Sequence, residues 1–286
     1  MSNKIVIMSD IHHCHSGWYG VSSDERMNQM VEALNTAYRK DPYDAIFFLG
    51  DYSLDHWVYQ IGGSWLHQQV SYTQKLVDEY LSRLECPVRY MIPGNHEQYG
   101  HEHWKRITGC ERQFAVVHEG YLLLMLDTFG ENLDPTEDSD GTYKPADVEY
   151  IQAQMTLHPD LPVLLCAHFF DLRKETEAFT KLVINEERIL CLFCGHDHQN
   201  RVEASAVLGG KLIIHDGQFS YAGFHDPVRC PWGWIEALLY EEGIICTYVH
   251  PSATLETNDG SRIIHAGEGP MIQITREAAH PLPRRR

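Results

Sequence analysis

Five apolar runs, each closed by a short polar cluster, constrain this chain more than any other feature. The runs Ile5–Met8, Ala45–Leu49, Val88–Ile92, Val163–Cys166 and Ile189–Phe193 read as buried strands. They close on Asp10-Ile11-His12, Gly50-Asp51, Gly94-Asn95-His96-Glu97, Ala167-His168 and Gly195-His196-Asp197-His198. Polar side chains at the ends of several buried strands converge on one rim of a sheet. Asp, Asn and His are oxygen and nitrogen ligands for divalent metals.

The segments between these runs supply helices first and hairpins later. Asp24–Lys40 has a helical rhythm through Met27, Met30, Val31, Leu34, Ala37 and Tyr38, with Ser23 or Asp24 as N-cap. Trp65–Leu84, Pro145–Leu157 and Glu175–Ile184 are further helix candidates. Strand, helix, strand, helix in this order predicts βαβ crossovers in the first hundred residues. Phe114–Val117 with Tyr121–Leu126, Val202–Val207 with Leu212–Ile214, and Trp234–Tyr240 with Ile244–Val249 read as hairpins. Two sheets packed face to face, with helices outside, accommodate both halves in an α/β fold. The acidic stretch Asn132–Gly141 reads as a mobile loop. Residues 1–250 are expected to form one domain. From 251 to 286 the pattern thins into a partly unstructured extension ending in Pro-Leu-Pro-Arg-Arg-Arg. Oligomeric state is left open, with the Trp234–Val249 hairpin and the tail as possible dimer contacts.

Charge narrows the partners. The 286 residues carry 23 basic against 40 acidic side chains, a net −17 that disfavours a nucleic-acid backbone. Bound divalent cations reverse the field locally, so a small phosphorylated molecule stays admissible. No apolar stretch approaches the roughly 20 residues that span a bilayer. The start runs straight into a strand, and the expected setting is cytoplasmic. Eight cysteines show no disulfide spacing. Cys191 and Cys194 are three apart on one strand and so face opposite ways. Buried free thiols in a reducing compartment are the expectation.

Taken singly, most of the five clusters have ordinary explanations. Gly-Asp after a strand is usually a turn, and a lone His168 is usually a hydrogen-bonded core residue. Asp10 and His12, two apart, share a face if the strand continues, so both can meet one ion. His13 then points away, and His13 and His15 line a pocket at most. The His-x-His pair of 196 and 198 has little structural rationale after a buried strand. Five clusters in the same position relative to their strands are hard to attribute to chance.

In this order the residues resemble the calcineurin-like metallophosphoesterases, whose motifs run D-x-H, G-D, G-N-H-[ED], a lone H and G-H-x-H. The match is Asp10/His12, Asp51, Asn95/His96/Glu97, His168 and His196/His198. The resemblance implies a four-layer α/β/β/α sandwich with two divalent ions (Mn, Fe or Zn) at its rim. It places one ion on Asp10, His12, Asp51 and His198, the other on Asp51, Asn95, His168 and His196, with Asp51 bridging. It implies hydrolysis of a phosphodiester or phosphomonoester by in-line attack of a metal-bridging hydroxide. His96 is then the proton donor to the leaving oxygen, and Glu97 orients the loop or a ligand by hydrogen bonding. Asp197 is expected to point outward. The second motif, Gly50-Asp51-Tyr52-Ser53-Leu54-Asp55-His56, lacks the arginine of the protein Ser/Thr phosphatases. Leu54 stands where purple acid phosphatases carry tyrosine, and His12 is also absent from their first motif. What remains resembles the bacterial branch containing cyclic-nucleotide and glycerophosphodiester phosphodiesterases.

Trp18, Tyr19, Tyr52, Trp57, Tyr99, His101, Phe169 and Phe170 lie beside these clusters and could form an aromatic mouth, against the plainer reading of loop packing. Arg173 is a candidate phosphate contact, or else a solvated helix-start arginine. Three classes follow: a di-metal phosphoesterase on a small metabolite, a nuclease of the same superfamily, and a scaffold that kept only the fold. The acidic balance weighs against the second, and the complete ligand set against the third.

Overall fold

The computed structural model describes residues 3–18, 20–56, 58–59, 63–64, 70–130, 133, 140–220, 232–256 and 262–275. In chain order its elements are β1 (Lys4–Met8), α1 (Ser23–Lys40), β2 (Ala45–Phe48), β3 (Val58–Tyr59), β4 (Gly63–Ser64), α2 (Tyr72–Lys75), β5 (Arg89–Met91), α3 (His101–Thr108), β6 (Phe114–His118), β7 (Tyr121–Leu126) and α4 (Val148–Leu157). There follow β8 (Val163–Ala167), α5 (Glu177–Asn185), β9 (Ile189–Cys194), β10 (Asn200–Ala204), β11 (Leu212–Asp216), β12 (Trp234–Tyr240), β13 (Gly243–Glu256) and β14 (Arg262–Thr275).

Two mixed six-stranded sheets result, ordered β14-β13-β12-β1-β2-β5 and β10-β11-β9-β8-β7-β6. Strands β1, β2 and β5 run parallel, as do β7, β8, β9 and β11. Alternation along each strand builds three apolar layers. Ile5, Ile7, Phe47, Leu164 and Phe193 meet between the sheets. Val6, Met8, Ile46 and Phe48 pack outward against Met27, Met30 and Leu34 of α1. Leu165 and Leu192 pack outward with Ile151 of α4 and Phe179 of α5. Three cores separate four layers, which is the expected α/β/β/α sandwich. Cys191 faces the inter-sheet core and Cys194 the outer one, as their spacing requires. The seven described cysteines are free thiols, and Cys230 lies outside the described residues.

The structure corrects several boundaries. Ser22, not Ser23 or Asp24, caps α1 by accepting the Glu25 N–H. The helix expected over Trp65–Leu84 starts only at Tyr72. It then loosens to a π-helical turn at Leu76–Tyr80 and tightens to a 3-10 turn at Leu81–Arg83; residues 65–69 lie outside the described set. Helix α3 went unread because its eight residues bury only Trp104 and Ile107, too few to show a period. The second hairpin pairs Asn200–Ala204 with Leu212–Asp216. The chain past Pro251 does not simply thin out: β13 continues to Glu256 and β14 pairs back on it antiparallel. Residues 134–139 of the acidic loop and the tail 276–286 lie outside the described residues. Among the described residues no helix is long and apolar enough to cross a membrane.

Candidate metal centre

The parallel strands of both sheets deliver their polar ends to one rim. Asp10 and His12 follow β1, Asp51 follows β2, and Asn95 and His96 follow β5. From the other sheet come His168 after β8 and His196 and His198 after β9. The backbone turns sharply there: Asp10, His12, Asp51, His196 and His198 all have positive φ, between 47° and 69°. Such angles are costly for residues with a Cβ and cluster where function fixes the chain. At Gly94 an added Cβ would lie 2.1 Å from Asp51 Oδ1, so only glycine lets the second and third motifs close on each other.

Each carboxylate has one oxygen held and one presented. Asp10 Oδ2 accepts the His196 N–H at 2.8 Å and contacts Ser9 Oγ. Its Oδ1 faces His198 Nε2 at 3.2 Å and His12 Nε2 at 3.4 Å. Asp51 Oδ1 accepts the His96 N–H at 3.1 Å. Its Oδ2 lies 3.1 Å from His168 Nε2, 3.5 Å from His12 Nε2 and 3.6 Å from His96 Nε2. Asn95 Oδ1 lies 2.9 Å from His168 Nε2 and 3.0 Å from His196 Nδ1. Two donor groups able to hold an ion, Asp10/His12/His198 and Asp51/His168/His196, thus sit side by side, and His12/Asp51/His96 forms a third overlapping them. Separations of this size are the polyhedron edges, about 3.0–3.6 Å, set by metal–ligand bonds of about 2.0–2.2 Å.

Hydrogen bonding makes the cation requirement sharper. His168 Nδ1 lies 2.8 Å from the Leu49 carbonyl, which can only accept. In the neutral ring Nδ1 therefore carries the proton and Nε2 a bare lone pair. That lone pair points at the Asp51 carboxylate and at the Asn95 amide oxygen. Three acceptors converging on one point repel one another until a cation, or a proton on one of them, lies between them, and so these atoms could hold a metal ion. Burial holds His12 down to about 3 and His196 down to about 4, so both rings are neutral ligands at neutral pH. Burial pushes Asp10 up, but His198 and His12 outweigh it and leave the carboxyl well below its usual range. Burial and the neighbouring Asp10 charge drive Asp51 well above its usual range. Cations at the donor groups would reverse that last direction.

Around this centre lie groups that order it. Glu97 uses both oxygens twice, accepting N–H groups from Asp51 (2.8 Å) and Gly94 (2.9 Å) on one and from Tyr52 (2.9 Å) and Ser53 (3.2 Å) on the other. It thereby clamps the second motif to the third, although burial and Asp51 push its carboxyl up to about 8. Three further supports have no local sequence signal. Buried Arg26 on α1 donates to the carbonyls of Ile11 and His12. Arg112 donates to the carbonyls of Glu97 and Tyr99 while paired with Asp127 at 2.7 Å. Asp216 at the end of β11 accepts from Ser9 Oγ at 2.6 Å. Each acts across the fold on a segment remote in sequence, which no local pattern reveals.

The aromatic mouth needs correction. Tyr52 is fully buried in the core beneath α1, its hydroxyl on the carbonyls of Phe48 and Ile92. Tyr99 is buried too, with its hydroxyl on Ser71 Oγ and Asp55. Both rings point inward because the turns that aim the ligands at the rim send the neighbouring side chains into the core. Phe170 stacks on Phe179 in the outer core, and Arg173 is solvent-exposed and paired with Asp171 at 3.0 Å. His101 is exposed at the start of α3, while Tyr19 and Trp57 lie outside the described residues. Of the named aromatics, Phe169 touches the centre, its ring 4.3 Å from that of His196. Phe129, unremarked in the sequence, flanks His168 and His196. His13 turns away to Ser23, and Asp197 pairs with Arg201 at 2.6 Å.

No curated protein matches the chain. Among solved structures, GAP50, the anchor in the inner membrane complex of Plasmodium, is 9% identical over 95% of this chain and 88% of its own, with a TM-score of 0.52. A predicted phosphoesterase from Streptococcus pneumoniae is 11% identical over 96% of this chain and 98% of its own, at 0.42. Vacuolar Protein Sorting 29 from Cryptosporidium parvum is 11% identical over 94% and 98%, at 0.40. The family model for calcineurin-like phosphoesterases matches residues 3–200, the span that carries all five clusters. The chain belongs to the calcineurin-like phosphoesterase family.

Proposed function

We propose that the protein is a di-metal phosphoester hydrolase acting on a small phosphorylated substrate. The observation that carries this is the gathering of Asp51 Oδ2 and Asn95 Oδ1 with ring nitrogens of His168, His12 and His196 at 2.9–3.5 Å, a buried oxygen and nitrogen donor set that fits divalent cations. Asp10, His12, Asp51 and His198 would hold one ion and Asp51, Asn95, His168 and His196 the other. When bound, the pair neutralises phosphoryl oxygens and lowers the pKa of water to give a nucleophile.

The chain's own part is positioning and proton transfer. Asp51 presents Oδ2 to His168 at 3.1 Å and to His12 at 3.5 Å, one from each donor group, and would thereby screen the repulsion between two bound cations. His96 is not needed for either donor group, yet its Nε2 lies 3.6 Å from Asp51 Oδ2. Burial and the surrounding histidines hold the His96 ring well below its ordinary range, so its role as donor to the leaving oxygen requires the anionic ester to restore the proton. The family is one of phosphoesterases, and the free, mostly buried thiols fit a reducing, cytoplasmic setting.

The test is hydrolysis of aryl phosphomonoesters and phosphodiesters by manganese-loaded protein, with metal content measured in parallel. The expected result is about two bound ions and turnover. His96→Ala should keep its metal and lose most on esters with poor leaving groups. Equal loss across good and poor leaving groups would remove His96 from the acid role. Protein that binds no ion in excess manganese or zinc would sink the reading and favour a scaffold.

A further inference from the structure

One carboxylate at the centre has no place in either donor group. Asp140, at the end of the acidic loop, accepts from Asn95 Nδ2 at 2.7 Å. The same oxygen lies 3.4 Å from His96 Nε2. Its side chain is 64% exposed, so it stands at the mouth and not behind the ligands. Its seat is built. Gly141 has φ +68°, and a Cβ there would lie 2.6 Å from the Asn95 carbonyl oxygen, so this backbone lies flush against the third motif. Lys144 N–H on Thr128 O (2.8 Å) anchors the segment that follows.

We propose that Asp140 is a specificity-determining residue that biases the site toward monoanionic phosphodiesters over dianionic phosphomonoesters. The inference rests on the hydrolase reading above. A monoester carries one more anionic oxygen than a diester, which has a neutral ester arm in its place. A fixed carboxylate next to the group facing the leaving oxygen repels that extra charge and leaves the neutral arm undisturbed. The Asn95 Nδ2 hydrogen bond restrains it more than a free surface side chain.

Two variants separate charge from geometry. Asp140→Asn keeps an oxygen for Asn95 Nδ2 and removes the charge, whereas Asp140→Ala removes both. The measurements are kcat/KM for p-nitrophenyl phosphate and bis-p-nitrophenyl phosphate on the manganese-loaded full chain. They are made well above the second phosphate ionisation of about 6. Calorimetric binding of inorganic phosphate and dimethyl phosphate is followed alongside. In Asp140→Asn the monoester-to-diester ratio should rise on the order of tenfold, and phosphate should tighten relative to dimethyl phosphate by a similar factor. An unchanged ratio with unchanged relative binding overturns the proposal. So does a shift seen only in Asp140→Ala, which would make the residue a positioner of Asn95. Loss of bound manganese in Asp140→Asn also overturns it, making Asp140 a ligand. If wild type cleaves neither ester but Asp140→Asn still tightens phosphate, the hydrolase reading fails and the charge discrimination stands.

Discussion

Among the described residues, left-handed backbone occurs in two regions on non-glycine residues, and the two use it differently. At the rim, Asp10, His12, Asp51, His196 and His198 adopt it in the buried or half-buried centre. On the far side of the second sheet Glu119 adopts it alone, exposed, in the turn of the β6–β7 hairpin and followed by Gly120. The conformation costs about 1–2 kcal/mol per residue in either place. At the hairpin only the local turn requires it. At the rim it is imposed by partners from distant segments: Asp10 N–H on Gly50 O, His12 N–H on Asp51 O, Arg26 on the carbonyls of Ile11 and His12, and Glu97 on the N–H of Asp51. Strain at the hairpin is incidental, whereas strain at the rim aims ligands.

The strongest way to break this contrast is Asp51→Ala. It removes the oxygen shared by both donor groups. Bound metal should fall by at least one equivalent and turnover by roughly three orders of magnitude or more. Elemental analysis and steady-state kinetics check it, and retention of both ions would show that the rim does not depend on its central carboxylate.

Next is Glu97→Gln. Each Glu97 oxygen takes two N–H groups, and an amide nitrogen can accept none. The variant should lose roughly 3 kcal/mol in denaturant unfolding. A loss within 0.5 kcal/mol, about the scatter of ordinary surface changes, would mean the rim angles hold without this clamp.

A smaller effect is expected from acid on the metal-free protein. Burial keeps His13 down to about 3, whereas the unfolded ring titrates near 6.5. The unfolded state binds the proton first, so stability rises with pH. His13's contribution is fully present above about 6.5 and is lost as pH falls toward 3. By pH 5 about 2 kcal/mol of it is lost. His13→Gln should lessen the drop between pH 6.5 and 5 by that amount, and an unaltered pH dependence would contradict it.

The smallest effect belongs to the hairpin. Glu119→Gly relieves the left-handed angle at an exposed site. It should stabilise the fold by at most about 1 kcal/mol in thermal unfolding, net of the entropy a glycine adds to the unfolded chain. His12→Gly would relieve the same kind of angle but lose a ligand. If both glycines stabilised and metal stayed bound, the two regions would not differ.

Much of the fold and of the candidate centre was legible because both rest on local repetition. Apolar runs such as Ile5–Met8 and Val163–Cys166 had to be buried on both faces, and each ended on chemistry-bearing residues. The seven candidate ligands are those that the resemblance to the calcineurin-like phosphoesterases implies, because the motifs stand in that family's order. Illegible were α3, with too little apolar surface to show a period, and β14, which has sense only as a partner for β13. Tyr52 and Tyr99 misled for a related reason. Adjacency to a ligand in sequence says nothing of side-chain direction where the backbone turns through positive φ.

Taken alone, then, the sequence determined which residues could ligate and that their strands must be buried, because both follow from side-chain chemistry and period. Only the tertiary structure decided which oxygen of each carboxylate is presented, that Arg26, Arg112 and Glu97 hold the turns, and that Asp140 stands against His96. Those are contacts between segments from 13 to 186 residues apart. Packing of two sheets in three dimensions sets them, and no pattern along one chain encodes them locally.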